Sequence, residues 1–355
     1  MNTPEEVHVG FLKIVHSQLK KEVKMETGIG RQYITSRQEL GMTRAETLRL
    51  LFEEYPKSSI ENEQVEFASL YVTGRCHLSC PHCYAEEEFA GLSKDAPTEQ
   101  MVKIINFLCQ LTGRIQLTGG EIFVRVDPES RRNDTLLLVD EISQRNREVI
   151  MQTTGMHITV PMLEFCATRN VKWFSLSLDG PDAESNSLIR GNDSAFTKTI
   201  ELIPQLKSSG FKVKVGTTMT ALTSKRENLI KVGELMMKLG VDNWKITQFF
   251  GREKGRASGE NANWLSVPDE LFNSLTTELQ KMFQGQEMRV TTHSVNDFSS
   301  SPALLVQPTG IITVTHGAGD VYVGNALTNK PTDTIAQLES RSGIASIRVN
   351  AQKTY

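Results

Sequence analysis

Cysteine is scarce in this sequence, and its usage excludes a disulfide-held protein. The chain has five cysteines among 355 residues. Small secreted domains carry cysteines in even numbers and at high density, whereas this chain is long and its count is odd. Three of the five fall close together, at Cys76, Cys80 and Cys83, and the other two, Cys109 and Cys166, lie in apolar helical stretches typical of core positions.

Long apolar runs, excess charge and a targeting segment are also missing. No apolar run approaches the ~18–20 residues of a membrane span. The formal net charge of −3 gives no reason to expect nucleic acid as a partner. The start of the chain, Met1–Glu6, carries acidic residues where a signal peptide has basic residues and then an apolar core. We therefore expect a cytoplasmic protein with no membrane and no nucleic-acid partner.

The chain is predicted to contain three regions. Its length exceeds the ~250–300 residues that one core usually organises, and its 39% hydrophobic content is ordinary for a globular protein. Residues 1–65 have helical periodicity and predict an N-terminal helical extension. Residues 66–250 alternate strand and helix patterns. Residues 251–355 predict a helix and then a small β appendage.

The middle region predicts an α/β fold. Six strand–helix units are too few for a closed eight-stranded barrel, so the pattern favours an open, partial (β/α)6 barrel of parallel strands. Within it, the polar segment Asp127–Asp134 is expected to be an exposed loop. In parallel α/β folds the loops at the carboxyl ends of the strands carry the chemistry.

The cysteine triplet follows the first strand of this region. Cys76, Cys80 and Cys83 are spaced C-x3-C-x2-C, directly after the apolar run Phe67–Val72. Thiolates suit an iron–sulfur cluster or zinc. Three thiolates would leave one iron of a four-iron cluster open to a small molecule. Structural zinc is the alternative, with His77 or His82 as a fourth ligand, but no second C-x2-C or H-x3-H pair exists to support it.

Further segments, in the same order, resemble the radical S-adenosylmethionine (SAM) enzymes over residues 67–250. Gly119-Gly120-Glu121 stands after the second strand, Ser175–Pro181 at the fourth, and Ile189-Arg190-Gly191 follows. The resemblance implies a partial TIM-type barrel, one 4Fe–4S cluster on the three cysteines, and SAM chelating the fourth iron.

The resemblance also implies a SAM site. By it, Glu121 holds the SAM amino group, Arg190 pairs with the carboxylate, and Ser177 contacts the same polar end. Asp179 serves either the ribose or only its turn, and His82 either flanks the adenine or is a loop histidine. The implied cofactor-binding residues are His82, Tyr84, Thr118, Gly119, Gly120, Glu121, Thr154, Ser177, Asp179 and Arg190.

The activity implied is reductive cleavage of SAM and removal of a substrate hydrogen atom, with an electron donor such as flavodoxin or ferredoxin. The segment 307–325 resembles the start of the auxiliary-cluster (SPASM/twitch-like) domain of the peptide-modifying branch but has no cysteine, so no second cluster is expected. This favours a ribosomally synthesised peptide as substrate. A small molecule (sugar, nucleoside or amino acid) is the alternative, and a zinc-binding interaction protein is a third. The sequence identifies no catalytic side chain beyond the cluster and SAM sites.

Overall fold

The fold was analysed in a computed structural model, which describes residues 65, 68–83, 94–249, 251, 258–295, 297, 304–316 and 319–340. The helical extension predicted for residues 1–65 falls outside these residues, except for Val65, which forms a single parallel bridge to Thr112. Tyr84, one of the predicted SAM-site residues, also lies outside them.

Ten strands and nine α-helices are found in the described residues. The strands are β1 (Ala68–Thr73), β2 (Arg114–Gly119), β3 (Glu148–Gln152), β4 (Val171–Ser177), β5 (Lys212–Met219), β6 (Asn243–Gln248), β7 (Arg289–His293), β8 (Leu304–Val306), β9 (Ile311–His316) and β10 (Gly319–Asn325). The helices are α1 (Thr98–Leu108), α2 (Thr135–Ser143), α3 (Val160–Ala167), α4 (Ala183–Arg190), α5 (Ser194–Ser208), α6 (Arg226–Lys238), α7 (Gly259–Leu265), α8 (Asp269–Met282) and α9 (Pro331–Ser340). A 3₁₀ turn covers Ile122–Val124.

All ten strands belong to one sheet, in the order β10-β9-β8-β1-β2-β3-β4-β5-β6-β7. Strands β1 to β7 are parallel and stand in chain order, while β9 pairs antiparallel with β8 and β10. Among the described strands, β7 and β10 are the two edges and do not meet, so the sheet is open. The predicted α/β fold with a parallel sheet is confirmed, and the described strands do not close into a barrel. The seventh parallel strand was missed, because its sequence has one apolar residue and weak strand periodicity.

The two faces of β1 to β7 differ in character. One face carries the apolar residues of each strand, including Leu70, Leu117, Phe174, Val215 and Ile246, which join the helices in one core. The side chains between them point to the opposite face. We call this second face the polar face. Its members are Ser69, Tyr71, Arg114, Gln116, Thr118, Glu148, Ile150, Gln152, Trp173, Ser175, Ser177, Lys212, Lys214, Gly216, Thr218, Asn243, Lys245, Thr247, Arg289, Thr291 and His293, most of which are polar.

The predicted C-terminal β element is present, and it continues the main sheet. Strand β8 pairs in parallel with β1, with Leu304 beside Ala68 and Val306 beside Leu70. Leu304 and Val306 are fully buried and belong to the main core. The element therefore borders the strand that leads into the cysteine loop. In the part of the chain that the structure describes, no helix combines the length and the apolar character needed to cross a membrane.

The expectation that Asp127–Asp134 is an exposed loop was wrong at both ends. Asp127 accepts hydrogen bonds from the backbone N–H groups of Thr98 and Ser130, and Asp134 is buried against Arg125. Arg125 is itself fully buried, with Nε 2.8 Å from Asp134 Oδ1. A polar sequence was read as exposed because periodicity does not reveal buried ion pairs.

Arg125 also supports the end of β1. Its Nη1 donates to the carbonyl of Val72 and its Nη2 to that of Ala96, both at 2.6 Å. The guanidinium thus satisfies backbone carbonyls at the base of the cysteine loop and neutralises Asp134.

Arg125→Met is expected to lower the free energy of unfolding by about 3–5 kcal/mol, because it leaves the Asp134 carboxylate buried without a cation. Burial already raises the pKa of Asp134. The loss in the free energy of unfolding should therefore become smaller as the pH falls and Asp134 takes up a proton. Urea unfolding at neutral and mildly acidic pH measures both effects. Arg226→Met, which removes an exposed ion pair to Glu278, should have little effect. Equal losses in the two variants would contradict this role of Arg125.

Candidate active site at the carboxyl edge of the sheet

The three cysteines of the triplet lie in the loop that leaves β1. Cys76 is exposed, Cys80 is buried and Cys83 is intermediate, and all three are free thiols. The loop folds back on itself, since Cys83 N–H donates to the carbonyl of Cys80 at 3.2 Å and Leu78 N–H donates to Cys76 Sγ at 3.4 Å. Burial raises the pKa of Cys76 and of Cys80, and the neighbouring thiols add to this.

The glycine pair after β2 packs against the backbone at the start of this loop. Gly120 N–H donates to Thr73 O and Glu121 N–H to Arg75 O, both at 2.8 Å. A Cβ on Gly119 would lie 2.3 Å from Thr73 O, and one on Gly120 would lie 2.2 Å from Arg75 O. Gly119 also has a φ of +133°. Only glycine allows this close approach, so the pair fixes the cysteine loop against the end of β2.

Glu121 is fully buried beneath this contact and joins three strand ends. Its Oε1 accepts from Phe123 N–H at 3.1 Å and Thr153 Oγ1 at 2.8 Å. Its Oε2 accepts from Thr154 N–H at 2.7 Å and from Thr154 Oγ1. Thr153 and Thr154 directly follow β3. The carboxylate therefore ties the end of β3 to the end of β2 through four donor groups of the protein.

A second buried ion pair joins β4, α4 and the cysteine loop. Arg190 Nε lies 2.6 Å from Asp179 Oδ2, and the Asp179 side chain is fully buried. Asp179 Oδ1 also accepts from Thr218 N–H at 2.7 Å, at the end of β5. Cys80 Sγ donates to the carbonyl of Arg190 at 3.8 Å. Arg190 is therefore held beside the cysteine loop by Asp179, a role that goes beyond the turn predicted for this aspartate.

His82 is buried beside this pair. Burial and, to a lesser extent, the positive charge of Arg190 lower the pKa of His82 to about 4, and Asp179 opposes the shift. The ring is therefore neutral at physiological pH. Its two sequence interpretations, an adenine contact and a plain loop histidine, stay predictions.

His77 points to a different neighbour. Its Nε2 lies 2.8 Å from Met156 Sδ, and its Nδ1 lies 3.1 Å from His157 Nε2. Zinc would need its ligand atoms within ~2.0–2.3 Å of one point. Within the described ranges, no three or more His, Cys, Asp or Glu side chains are arranged to hold a single metal ion.

The remaining predicted residues have defined positions. Thr118 Oγ1 donates to Gln152 Oε1 at 3.0 Å, and the Thr154 hydroxyl donates to Glu121, so both side chains have protein partners. Ser177 lies at the carboxyl end of β4 on the polar face, level with Gly216. Of the predicted site, Tyr84 alone falls outside the described residues.

Sequence reasoning missed two residues whose hydrogen bonds hold the strand ends at the site in place. Thr153 was not among the predicted site residues, although its hydroxyl donates to Glu121. Asp95 accepts from Thr73 Oγ1 at 2.6 Å and from Val126 N–H at 2.8 Å, and this contact also anchors the end of β1. Isolated polar residues in loops give no sequence signal for such roles, because the partners are 22 or more positions away.

Comparisons with known proteins identify the family of the middle region. A family profile described as the radical SAM superfamily matches residues 70–237. These residues form a radical SAM domain. The matched range contains the cysteine triplet, the Gly-Gly-Glu segment and the Asp179–Arg190 pair.

Curated relatives of the domain include two kinds of protein. The AdoMet-dependent heme synthase of Nitratidesulfovibrio vulgaris is 28% identical over 202 residues, which are 56% of this chain and 51% of that protein. The subtilosin biosynthesis protein AlbA of Bacillus subtilis is 27% identical over 176 residues, 48% of this chain and 36% of that protein. The chain thus spans about half, or less, of the length of these relatives.

Solved structures confirm the fold. SuiB of Streptococcus suis bound to S-adenosylmethionine superimposes with a TM-score of 0.60 at 14% identity, covering 97% of this chain and 80% of that one. AnSMEcpe with bound AdoMet gives a TM-score of 0.57 at 14% identity, covering 76% of this chain and 80% of that one. Radical SAM enzymes use a 4Fe–4S cluster and SAM. Three free thiols in one loop supply the donor set that such a cluster requires.

Glu121→Gln tests the strand-end contact of the radical SAM domain. Both carboxylate oxygens accept from a backbone N–H, Phe123 on one side and Thr154 on the other. The glutamine NH2 group must therefore face a backbone donor in either orientation. We expect a loss of about 1–3 kcal/mol in the free energy of unfolding, measured by urea titration.

Glu148→Gln is the matched control, because Glu148 lies at the amino-terminal end of β3 and is partly exposed beside Arg114. It should change stability little. If Glu121→Gln is no less stable than this control, the carboxylate does not hold the strand ends together.

Proposed function

We propose that this chain is a radical SAM enzyme that holds one 4Fe–4S cluster on Cys76, Cys80 and Cys83. It cleaves SAM reductively and removes a hydrogen atom from its substrate, which we propose is a ribosomally synthesised peptide. The single observation that supports this best is the convergence of the cysteine loop with Glu121 and Arg190 at one edge of the sheet.

The site combines three chemical elements that this activity needs. A soft triple-thiol ligand set stands beside a buried carboxylate and a buried guanidinium. Each charge is held by the protein before any ligand binds, so little reorganisation is required on binding. The bound cluster and SAM would supply one electron and a 5′-deoxyadenosyl radical.

The chain's own residues orient and shield that chemistry. The glycine pair and Glu121 hold the cysteine loop in place through Thr73, Arg75 and Thr153. Arg190 would pair with the SAM carboxylate while keeping Asp179 as its partner. Ser177, at the carboxyl end of β4, would contact the polar end of SAM. The thiols lose protons when they bind iron, so loading of the site should release protons.

The peptide substrate is favoured by two likenesses. The AlbA relative takes part in the biosynthesis of a bacteriocin. SuiB, whose fold matches nearly the whole chain, has also been solved bound to its precursor peptide SuiA, with a TM-score of 0.61. The heme synthase relatives support the second candidate, a small-molecule substrate.

Anaerobic reconstitution should load about four irons per chain, as one 4Fe–4S cluster does. Replacing Cys76, Cys80 and Cys83 together with alanine should remove essentially all of this iron and abolish formation of 5′-deoxyadenosine from SAM. Cys109→Ala and Cys166→Ala are matched controls, because both thiols are buried in the core, where burial raises their pKa to about 12. These two variants should retain the iron. Full iron content in the triple variant would mean that other residues of the chain bind the cluster.

The substrate class is tested by supplying the reduced, reconstituted protein with two sets of candidates. One set is the peptides encoded by neighbouring genes, and the other is the small molecules made by the products of those genes. We expect a mass change in a peptide and faster formation of 5′-deoxyadenosine in its presence. Mass spectrometry of the peptide and chromatography of the nucleoside measure the two effects. Turnover of a small molecule, with every peptide unchanged, would replace the peptide proposal with the second candidate.

A further inference from the structure

Two lysines lie on the polar face of the sheet, away from the cysteine loop. Lys214 of β5 is level with Ser175 of β4, and Lys245 of β6 is level with Gly216 of β5. They stand on neighbouring strands, two positions apart along the strand direction. Lys214 is buried and Lys245 is partly buried. Neither is assigned to the cluster or to SAM.

The charged and titratable groups near this pair come from β7 and from the segment that follows it. His293 lies at the end of β7, and Asp297 lies in the segment that follows it. Burial lowers the pKa of Lys245 to about 8, with Asp297 opposing the shift. Burial also lowers the pKa of Lys214 well below its usual value, and the charge of Lys245 contributes. His293 stays neutral, because burial and the charge of Lys245 lower its pKa to about 3.

The ammonium of Lys245 has no hydrogen bond or ion pair with the residues that the structure describes. A buried or half-buried cation without such a partner is costly unless a ligand supplies the opposite charge. Asp297 acts on it only at longer range, while its Oδ2 accepts from Ser294 N–H at 2.8 Å and Ser294 Oγ at 2.9 Å.

Space for a ligand exists beside Lys245. Gly216 stands next to it on the same face, and a Cβ added there would meet, among the described residues, only Leu176 O, at 3.8 Å. That is an ordinary van der Waals distance, so the described residues leave room for a methyl group at this position. Glycine inside a strand weakens the sheet, and such positions often mark the close approach of a ligand. The opposite neighbour of Gly216 is Ser177, at the proposed SAM site.

We propose that the polar face around Gly216 binds a carboxylate group of the substrate, with the ammonium of Lys245 as its donor. The proposal rests on the proposed function, because it takes the substrate to lie beside Ser177. The single negative charge of a carboxylate matches the one ammonium of Lys245, whereas a phosphate dianion exceeds it.

Calorimetric titration of the full chain tests the site without any turnover. The probes are a short peptide with a single glutamate, the same peptide with glutamine, glutarate, and inorganic phosphate. We expect the glutamate peptide or glutarate to bind and the glutamine peptide to bind at least about tenfold more weakly. Tighter binding of the peptide identifies a peptide carboxylate as the natural group, and tighter binding of glutarate identifies a small acid.

Lys245→Met should lower the affinity for the carboxylate probe about tenfold to a hundredfold. Lys212→Met is the matched control, because Lys212 belongs to the same strand and face but is exposed beside Trp173. It should bind as the wild type does. Gly216→Ala should also weaken binding, since the added methyl occupies the space while the backbone tolerates it.

The pH profile separates a binding lysine from a structural one. Lys245 is protonated below about pH 8, so affinity should be highest below that pH and fall above it. Lys245→Arg keeps its charge at every working pH and should therefore bind with little change across the same range. This variant also decides the question if Lys245→Met does not fold.

Three results would overturn the proposal: phosphate bound more tightly than either carboxylate, no carboxylate probe bound by the wild type, or identical affinities in the wild type, Lys245→Met and Lys245→Arg at every pH. Failure of the proposed function looks different. If the reconstituted protein does not cleave SAM while the probe still binds through Lys245, the enzyme proposal fails and the carboxylate site stands.

Discussion

The site depends on a buried carboxylate at the junction of three strand ends. Glu121 has no exposure to water, and every donor that reaches it belongs to the protein. Removing a carboxylate from water is costly unless its lone pairs are satisfied, so Glu121 can be stable only while β2, β3 and the 3₁₀ turn keep their relative positions. Because Gly119 and Gly120 precede it, the same junction also fixes the start of the cysteine loop.

A second constraint comes from the two faces of the sheet. Helices pack on the apolar face and supply most of the buried surface. The opposite face is polar along seven strands, with hydrogen bonds such as that of Gln116 to Gln152 at 2.6 Å. Burying polar groups there stabilises the fold little, so this face is better explained as a surface for ligands. Ser177 and the two lysines lie on it.

The alternation of strands and helices over residues 66–250 could be predicted from the sequence. Buried parallel strands such as β1 and β4 are apolar runs that alternate with amphipathic helices, and this periodicity is local. The cysteine triplet could be recognised equally well, because its three cysteines are close in sequence. Strand β7 was not readable, since its polar-face residues outnumber its single apolar one. The pairing of β8 with β1 was not readable either, because residues 304–306 and 68–70 are far apart in the chain.

The sequence by itself determined the α/β alternation, the close spacing of the three cysteines and the family to which residues 70–237 belong. Those properties depend on spacing over a few residues, which the covalent chain sets directly. Only the tertiary structure decided that Glu121 bonds Thr153 and Thr154, that Asp179 holds Arg190, and that Lys214 and Lys245 share one face. These contacts join residues 11 to 33 positions apart, and they form because parallel strands bring distant carboxyl ends to one edge, where unpaired buried charges would otherwise be too costly to keep.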